Sequence, residues 1–555
     1  MVKKDSLIKG TIILAAAALV ARFLGIFQRI PLDNMLTVDG GNYFNVANNI
    51  YLMLLIIATG GIPSAISKMV SERYALGRPA DAQRIYRAAL WFGAITGLVV
   101  ASLLYIFAPF IATQISQHPG ADISIRAIAP ALLLFPVIAM MRGYFQGRQF
   151  MMAGGISQIV EQFMRVLTAI GLVVLLLAWG WSDRWVAGAA TFGSVLGSVG
   201  AFLVMLFYAG RLRKQDAAES PDRSNQSRKA PGKASNGSML SYRSIYKELF
   251  SISVPIVIAA MTVQFIYNFD ILLFSRLTDA FYASDDVGKL ASKWLGFRAQ
   301  GIAGIPPILA IALSSSIIPV ISSAYSIRNM NEVQRQTSLV MRIVVFTGVP
   351  AALMLTIASI SVTGFLFDGT GGSGLVAALT AGTIFQITMM TSNSVLFGLG
   401  KPRLPMRHTL IGLALKVVAS LLLAPLMGAY GLILSSTLCF VVIAYLNLRA
   451  IRKDVPLKVL GSSWTGYSIT IVLSAAAGWL VDFGGRHLLD ALPAKLMYLI
   501  SAGAAGVVSL GLYVVLLVLL RVVTAEDVRQ FPGPLRKLLN PLMRIMARSK
   551  SVGSK

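Results

Sequence analysis

Residues 10–31 read GTIILAAAALVARFLGIFQRIP, an apolar run interrupted by two arginines, Arg22 and Arg29. A helix rises 1.5 Å per residue, so a run of about 20 apolar residues crosses roughly 30 Å of hydrocarbon. Comparable runs follow at 43–66, 88–112, 124–146, 155–180, 185–209, 249–275, 294–322, 340–366, 375–399, 406–424, 427–448, 463–482 and 494–520 of the 555 residues, which makes about fourteen. The composition agrees with this reading. Hydrophobic residues make up 56% and charged residues 13%, and mean hydropathy is +0.72, more apolar surface than a water-soluble fold hides. A transmembrane barrel would show segments of about ten residues with alternating polarity, and none occur. The expected fold class is an all-α polytopic membrane protein.

The net charge of +26 is organised by loops. Bases gather at Lys3/Lys4, Lys68–Arg87, Arg142/Arg148, Arg211–Lys247, Arg328/Arg335, Lys401–Arg407, Arg449–Lys458 and in the tail from Arg521. The alternate loops carry Asp33, Asp39, Asp122, Asp183, Asp279–Asp286, Asp368 and Asp482. Cytoplasmic loops hold the excess of Lys and Arg, so both ends are expected in the cytoplasm, and the basicity needs no nucleic-acid partner. The one cysteine, Cys439, allows no internal disulfide, and three scattered histidines make a zinc or haem site improbable. No phosphate-cradling Gly-x-x-x-x-Gly-Lys-[Ser/Thr] loop exists, GTGGSG at Gly369–Gly374 reads as an outer loop, and no nucleophile–base set stands out. An enzyme is therefore not expected.

The polar, serine-rich interval Arg211–Ser244 reads as a flexible cytoplasmic linker after six spans. A shift of 251 positions aligns the chain with itself. It brings Ile66, Ser71, Tyr74, Gln83 and Arg84 onto Ile317, Ser322, Tyr325, Gln334 and Arg335, Asp81 onto Glu332, Gly147 onto Gly398, and Arg165-Val166 onto Lys416-Val417. The expected organisation is an N-lobe at 1–210, the linker at 211–244, a C-lobe at 245–450, two further helices within 451–525 and a basic tail at 526–555. A parallel repeat of this kind suits alternating access at a site between lobes.

A charge near the bilayer centre costs roughly 2.5–3.5 kcal/mol on insertion scales, so each calls for a reason. Arg22 lies halfway through the first span and suits a water-filled cavity; Arg29, two turns on, either faces that cavity or snorkels outward. Arg298 precedes Pro306-Pro307, where a helix must break. Asp270 either pairs with an arginine or coordinates a coupling cation, and Arg276 reads as an interfacial anchor. Glu161 and Arg165, four apart with the acid first, make a favourable helical ion pair. Its basic member recurs as Lys416. Arginine grips phosphate bidentately and keeps its charge, so arginines in spans 1 and 8 suit a diphosphate.

ARFLGIFQRIPL (Ala21–Leu32), YLMLLIIATGGIPSAISKMVSE (Tyr51–Glu72), MRGYFQGRQ (Met141–Gln149) and ISQIVEQFMRV (Ile156–Val166) together resemble the SpoVB/YtgP-type polysaccharide-biosynthesis proteins. These are relatives of the MurJ lipid II flippases in the MOP exporter superfamily, which also holds the MATE transporters. The resemblance implies two six-helix lobes with two extra helices in a bacterial cell membrane, and export of a lipid-linked sugar diphosphate, most simply lipid II. It implies diphosphate contact by Arg22 and Arg298. Gln28 stands where Gram-negative members carry their second arginine, with Arg29 one place later, and the span-2 arginine and span-11 acid of other members are missing. Other lipid-linked glycans and a multidrug–cation antiporter are the alternatives. Membrane lipids and cell-wall synthesis enzymes are the expected partners. No cofactor is expected beyond coupling to membrane potential, Na+ or H+.

Overall fold

The computed structural model describes residues 7–59, 61–227, 241–308, 318, 321–322, 324–325, 328–457, 459–460 and 463–523. These residues form helices and turns, with no strand among them. Eleven helices are long and apolar enough to cross a membrane, and twelve if the bent pair Tyr242–Ala260 and Thr262–Leu272 is one crossing. The expected spans 10–31 and 294–322 are not in that count; each contains backbone or side chains outside the described set, so the total of fourteen is not established.

Packing divides the chain into two units between Arg276 and Leu277. The first contains α1 (Leu7–Met35), α2 (Val38–Thr59), α3 (Ile62–Ala75), α4 (Pro79–Phe110), α5 (Ala121–Gly147), α6 (Met151–Ala178), α7 (Asp183–Ser227), α8 (Tyr242–Ala260) and α9 (Thr262–Leu272). The expected lobe boundary at 245 therefore moves. Polar contacts hold α8 and α9 to the first unit: the Tyr246 hydroxyl donates to the Ala88 carbonyl at 3.1 Å, Glu248 meets Arg73 at 3.6 Å and Gln264 donates to Asn49 at 3.2 Å. The flexible linker is corrected too, because α7 runs on as helix to Ser227. Leu212 is buried and both carboxylate oxygens of Asp216 accept from Arg148 at 2.7 Å, which fixes that turn despite its polar sequence. Residues 228–240 of the expected linker, and 524–555 with the tail, lie outside the described residues.

Breaks fall where the side chains require them. The expected span 43–66 is two helices meeting at Gly61, whose φ of 80° is left-handed. A Cβ there would stand 2.9 Å from Cβ of Ile256, so only glycine admits α8. At the 51° bend between α8 and α9, the Thr262 hydroxyl donates to the Ala259 carbonyl at 2.8 Å, a side-chain intrusion that bends helices. In the second unit, helix stops at Ala303, ahead of Pro306-Pro307 as expected.

Each unit contains the other's pattern at a spacing of 251. Shifted by that amount, α4, α5 and α6 begin within one residue of the second unit's Met330–Ile357, Ser373–Gly398 and Arg403–Met427 helices. The unusual backbone positions correspond as well: Gly77 (φ 68°) with Arg328 (φ 56°), and Gln149 (φ 65°) with Gly400 (φ 70°). A Cβ on Gly147 would lie 2.7 Å from the Ser67 carbonyl oxygen and 2.9 Å from Cβ of Val70. On Gly398 it would meet Ile318 and Ile321, the residues 251 positions after those two. Both glycines are thus sites of close helix approach. Gly147→Ala and Gly398→Ala should each cost about 1–3 kcal/mol by overpacking, lowering the melting temperature in detergent. Gly171→Ala, facing open space within α6, should not; equal melting of all three variants would contradict the repeat packing.

Candidate functional site

Ser157, Glu161 and Arg165 recur every four residues along α6 and share one face of the helix. Against that face α5 presents Arg142, and a buried charge network closes. The Glu161 carboxylate accepts from Arg142 at 2.9 Å and from Arg165 at 3.3 Å. Arg142 also donates to the Ser157 hydroxyl at 2.7 Å, and Arg165 to the Tyr51 hydroxyl at 2.6 Å. All five side chains are buried, with Glu161 only 4% exposed. Glycines on α7 allow this approach, since a Cβ at Gly197 would stand 2.7 Å from the Glu161 carbonyl oxygen. The expected Glu161–Arg165 pair is therefore present, but Arg142 is not the loop cation the charge pattern suggested. It lies inside α5 and shares the carboxylate, a partnership between helices that no spacing along one helix could signal.

The corresponding positions of the second unit carry a different polar set. Arg142, Ser157 and Arg165 map onto Asn393, His408 and Lys416. Asn447 bridges the first two, its amide donating to Asn393 at 2.7 Å and its carbonyl oxygen lying 2.7 Å from Nδ1 of His408. Lys416, fully buried, donates to the Leu432 carbonyl at 2.9 Å and the Ser435 hydroxyl at 2.8 Å.

The arginines expected on a diphosphate are distributed over both units. Arg22 is on α1 and its side chain lies outside the described residues. Gln28 is buried, whereas Arg29, next along the helix, is half-buried. Asp270 is buried on α9, two residues beyond Asn268, whose amide donates to Met53 Sδ of α2. Arg276 donates to the Gln114 carbonyl, which fits an anchor at the end of its helix. Arg22, Arg29 and Asp270 thus belong to the first unit and Arg298 to the second.

Arg298 lies in a π-helical turn, Trp294–Ala299, and is 6% exposed. Its guanidinium donates to the carbonyls of Gly371 at 2.7 Å and Asp368 at 3.0 Å, with its carbon 5.3 Å from the centre of the Phe367 ring. The glycine-rich stretch that read only as an outer loop is therefore built around this arginine. Gly369 and Gly372 take left-handed φ of 78° and 77°, and a Cβ on Gly371 would enter the Trp294 ring. These glycines turn backbone oxygens toward the cation.

Two repeated helical units with buried charges define a class of multi-pass membrane protein. Its fold is that of the solved "Lipid II flippase MurJ, inward closed conformation", with a TM-score of 0.64 over 92% of this chain and 99% of that one at 14% identity. It is shared by an inward-facing multidrug resistance MATE family transporter of the MOP superfamily, with a TM-score of 0.61 over 78% of this chain and 94% of that one at 10% identity. The family of polysaccharide biosynthesis proteins matches residues 7–325, and the chain belongs to it. Among relatives from Bacillus subtilis (strain 168), the lipid II flippase MurJ is 26% identical over 91% of this chain and 94% of its own length. Stage V sporulation protein B is 23% identical over 95% and 98%.

Because Glu161 serves two buried arginines, its loss leaves charge uncompensated in a low-dielectric interior. Glu161→Gln should destabilise the protein by about 3–5 kcal/mol, whereas replacing Arg142, Glu161 and Arg165 together by methionine should cost much less. Thermal unfolding in detergent measures both; a triple variant weaker than Glu161→Gln would contradict the sharing of one carboxylate by two arginines.

Proposed function

We propose that this protein is a flippase that moves the undecaprenyl-diphosphate-linked peptidoglycan precursor lipid II from the inner to the outer leaflet by alternating access. The observation that carries this reading is similarity to the Bacillus subtilis lipid II flippase along nearly the whole of both chains. The charge balance agrees with it. A lipid diphosphate needs cations within the membrane that stay charged, and arginine supplies them. Arg22 and Arg298, with Arg29, are the proposed diphosphate ligands. Arg298 donates to neutral carbonyl oxygens; a phosphate oxygen forms the stronger, charge-assisted bond and would compete for the same N–H groups. Release on the far side then needs an input, which we assign to the membrane potential or an ion gradient. Both chain ends are proposed to be cytoplasmic, from the distribution of Lys and Arg.

A second reading, a role in sporulation on a related lipid-linked substrate, is favoured by the match along almost all of stage V sporulation protein B. Cation-coupled drug efflux is disfavoured by the excess of arginine over acid among the intramembrane charges.

Rescue of a flippase-depleted strain tests the assignment. Arg22→Ala and Arg298→Ala should each fail to support growth at normal protein levels. Arg298→Lys, which keeps the charge but loses the planar fork, should support it only weakly. Full rescue by both alanine variants would remove the proposed ligands.

A further inference from the structure

A cavity of about 410 Å³ lies in the first unit among α4, α5 and α7. Its lining includes the charged Arg87 of α4 with Arg213 and Asp216 of α7, and the apolar Leu90 and Phe145. The acid is already committed, since both oxygens of Asp216 accept from Arg148 at 2.7 Å. Arg87 and Arg213 are exposed, and among the described residues neither has an ion-pair partner. The wall beside them is stiff: the rings of Tyr86 and Tyr144 stack with centroids 4.0 Å apart, and the Tyr144 hydroxyl lies 3.3 Å from that of Tyr74. Trp91, next to Leu90 in sequence, and Phe207 of α7 are 69% and 62% exposed on helices long and apolar enough to cross a membrane, so α4 and α7 carry lipid-facing surface near the cavity in sequence.

Two guanidinium groups without an ion-pair partner among the described residues, lining a cavity together with apolar side chains, suit an amphiphilic anion. A soluble phosphate would use the guanidinium groups and leave the apolar side chains without contact. These ends of α4, α5 and α7 carry basic clusters, which the charge rule places at the cytoplasmic leaflet, where anionic lipids concentrate. We propose that the cavity binds the phosphate-bearing headgroup of an anionic phospholipid from that leaflet. Arg87 and Arg213 hold the phosphate, and the start of the acyl region rests on Leu90 and Phe145. None of these residues belongs to the proposed diphosphate site, so this lipid is a second ligand and not the cargo.

Titration of the detergent-purified full chain with a fluorescent phosphatidylglycerol tests the site. A basic residue near an anionic lipid surface is worth about fivefold in binding, so Arg87→Gln with Arg213→Gln should weaken affinity about thirtyfold. Arg87→Lys with Arg213→Lys should retain most of it, and Leu90→Trp, which adds bulk to the apolar lining, should weaken it while the arginines remain. Phosphatidylcholine, inorganic phosphate and pyrophosphate should fail to displace the probe. Unchanged affinity in the glutamine variant, with the same melting temperature as wild type, would overturn the site. Displacement by inorganic phosphate or pyrophosphate, with Leu90→Trp without effect, would overturn the lipid assignment in favour of a soluble anion. Because Arg87 and Arg213 are not proposed to touch the diphosphate, rescue of a flippase-depleted strain by this variant reports separately on the transport reading.

Discussion

A charge carried into hydrocarbon must bring its own partners, and the sharing of the Glu161 carboxylate by Arg142 and Arg165 shows how this chain meets that constraint. Removing an ion from water costs several kcal/mol even after relaxation, so the network survives only because Ser157 and Tyr51 take further N–H groups. Packing follows from it. The α6 face that carries the charges must lie close to α5 and α7, and glycines such as Gly197 keep α7 close enough to seal the network from lipid. At the equivalent position of the second unit, buried Lys416 donates to a carbonyl and a hydroxyl oxygen.

Arg298 obeys the rule in a different way. Its guanidinium donates to backbone oxygens of a glycine-rich loop, shaped by left-handed turns at Gly369 and Gly372 and a close approach to Trp294. Bonds to backbone carbonyls are weaker than the charge-assisted bonds that a guanidinium makes to phosphate oxygens.

Much of this was legible in the sequence because two of its signals are strictly local. Apolar run length marked out a polytopic helical protein, and the shift of 251 exposed the repeat, down to Gly147 and Gly398 meeting equivalent neighbours. The pairing of Glu161 with Arg165 was legible for the same reason, being four residues apart on one helix. What was not legible depends on contacts between helices. Arg142 looked like a loop cation because it sits near a basic cluster, and only its packing against α6 reveals the partner. Asp216 belonged to a stretch whose composition signals disorder, yet its pairing with Arg148 and the burial of Leu212 keep that stretch helical. Composition reports the average preference of a segment; two specific contacts suffice to override it.

The proposed transport rests on a diphosphate-linked lipid crossing the membrane through this protein. The leaflet distribution of lipid II, followed in a strain from which the protein is depleted and in which no other flippase operates, measures that passage. Lipid II should accumulate in the inner leaflet, and wild-type protein, but not Arg22→Ala, should restore its movement outward. Arrival of lipid II in the outer leaflet at an undiminished rate after depletion would contradict the proposal.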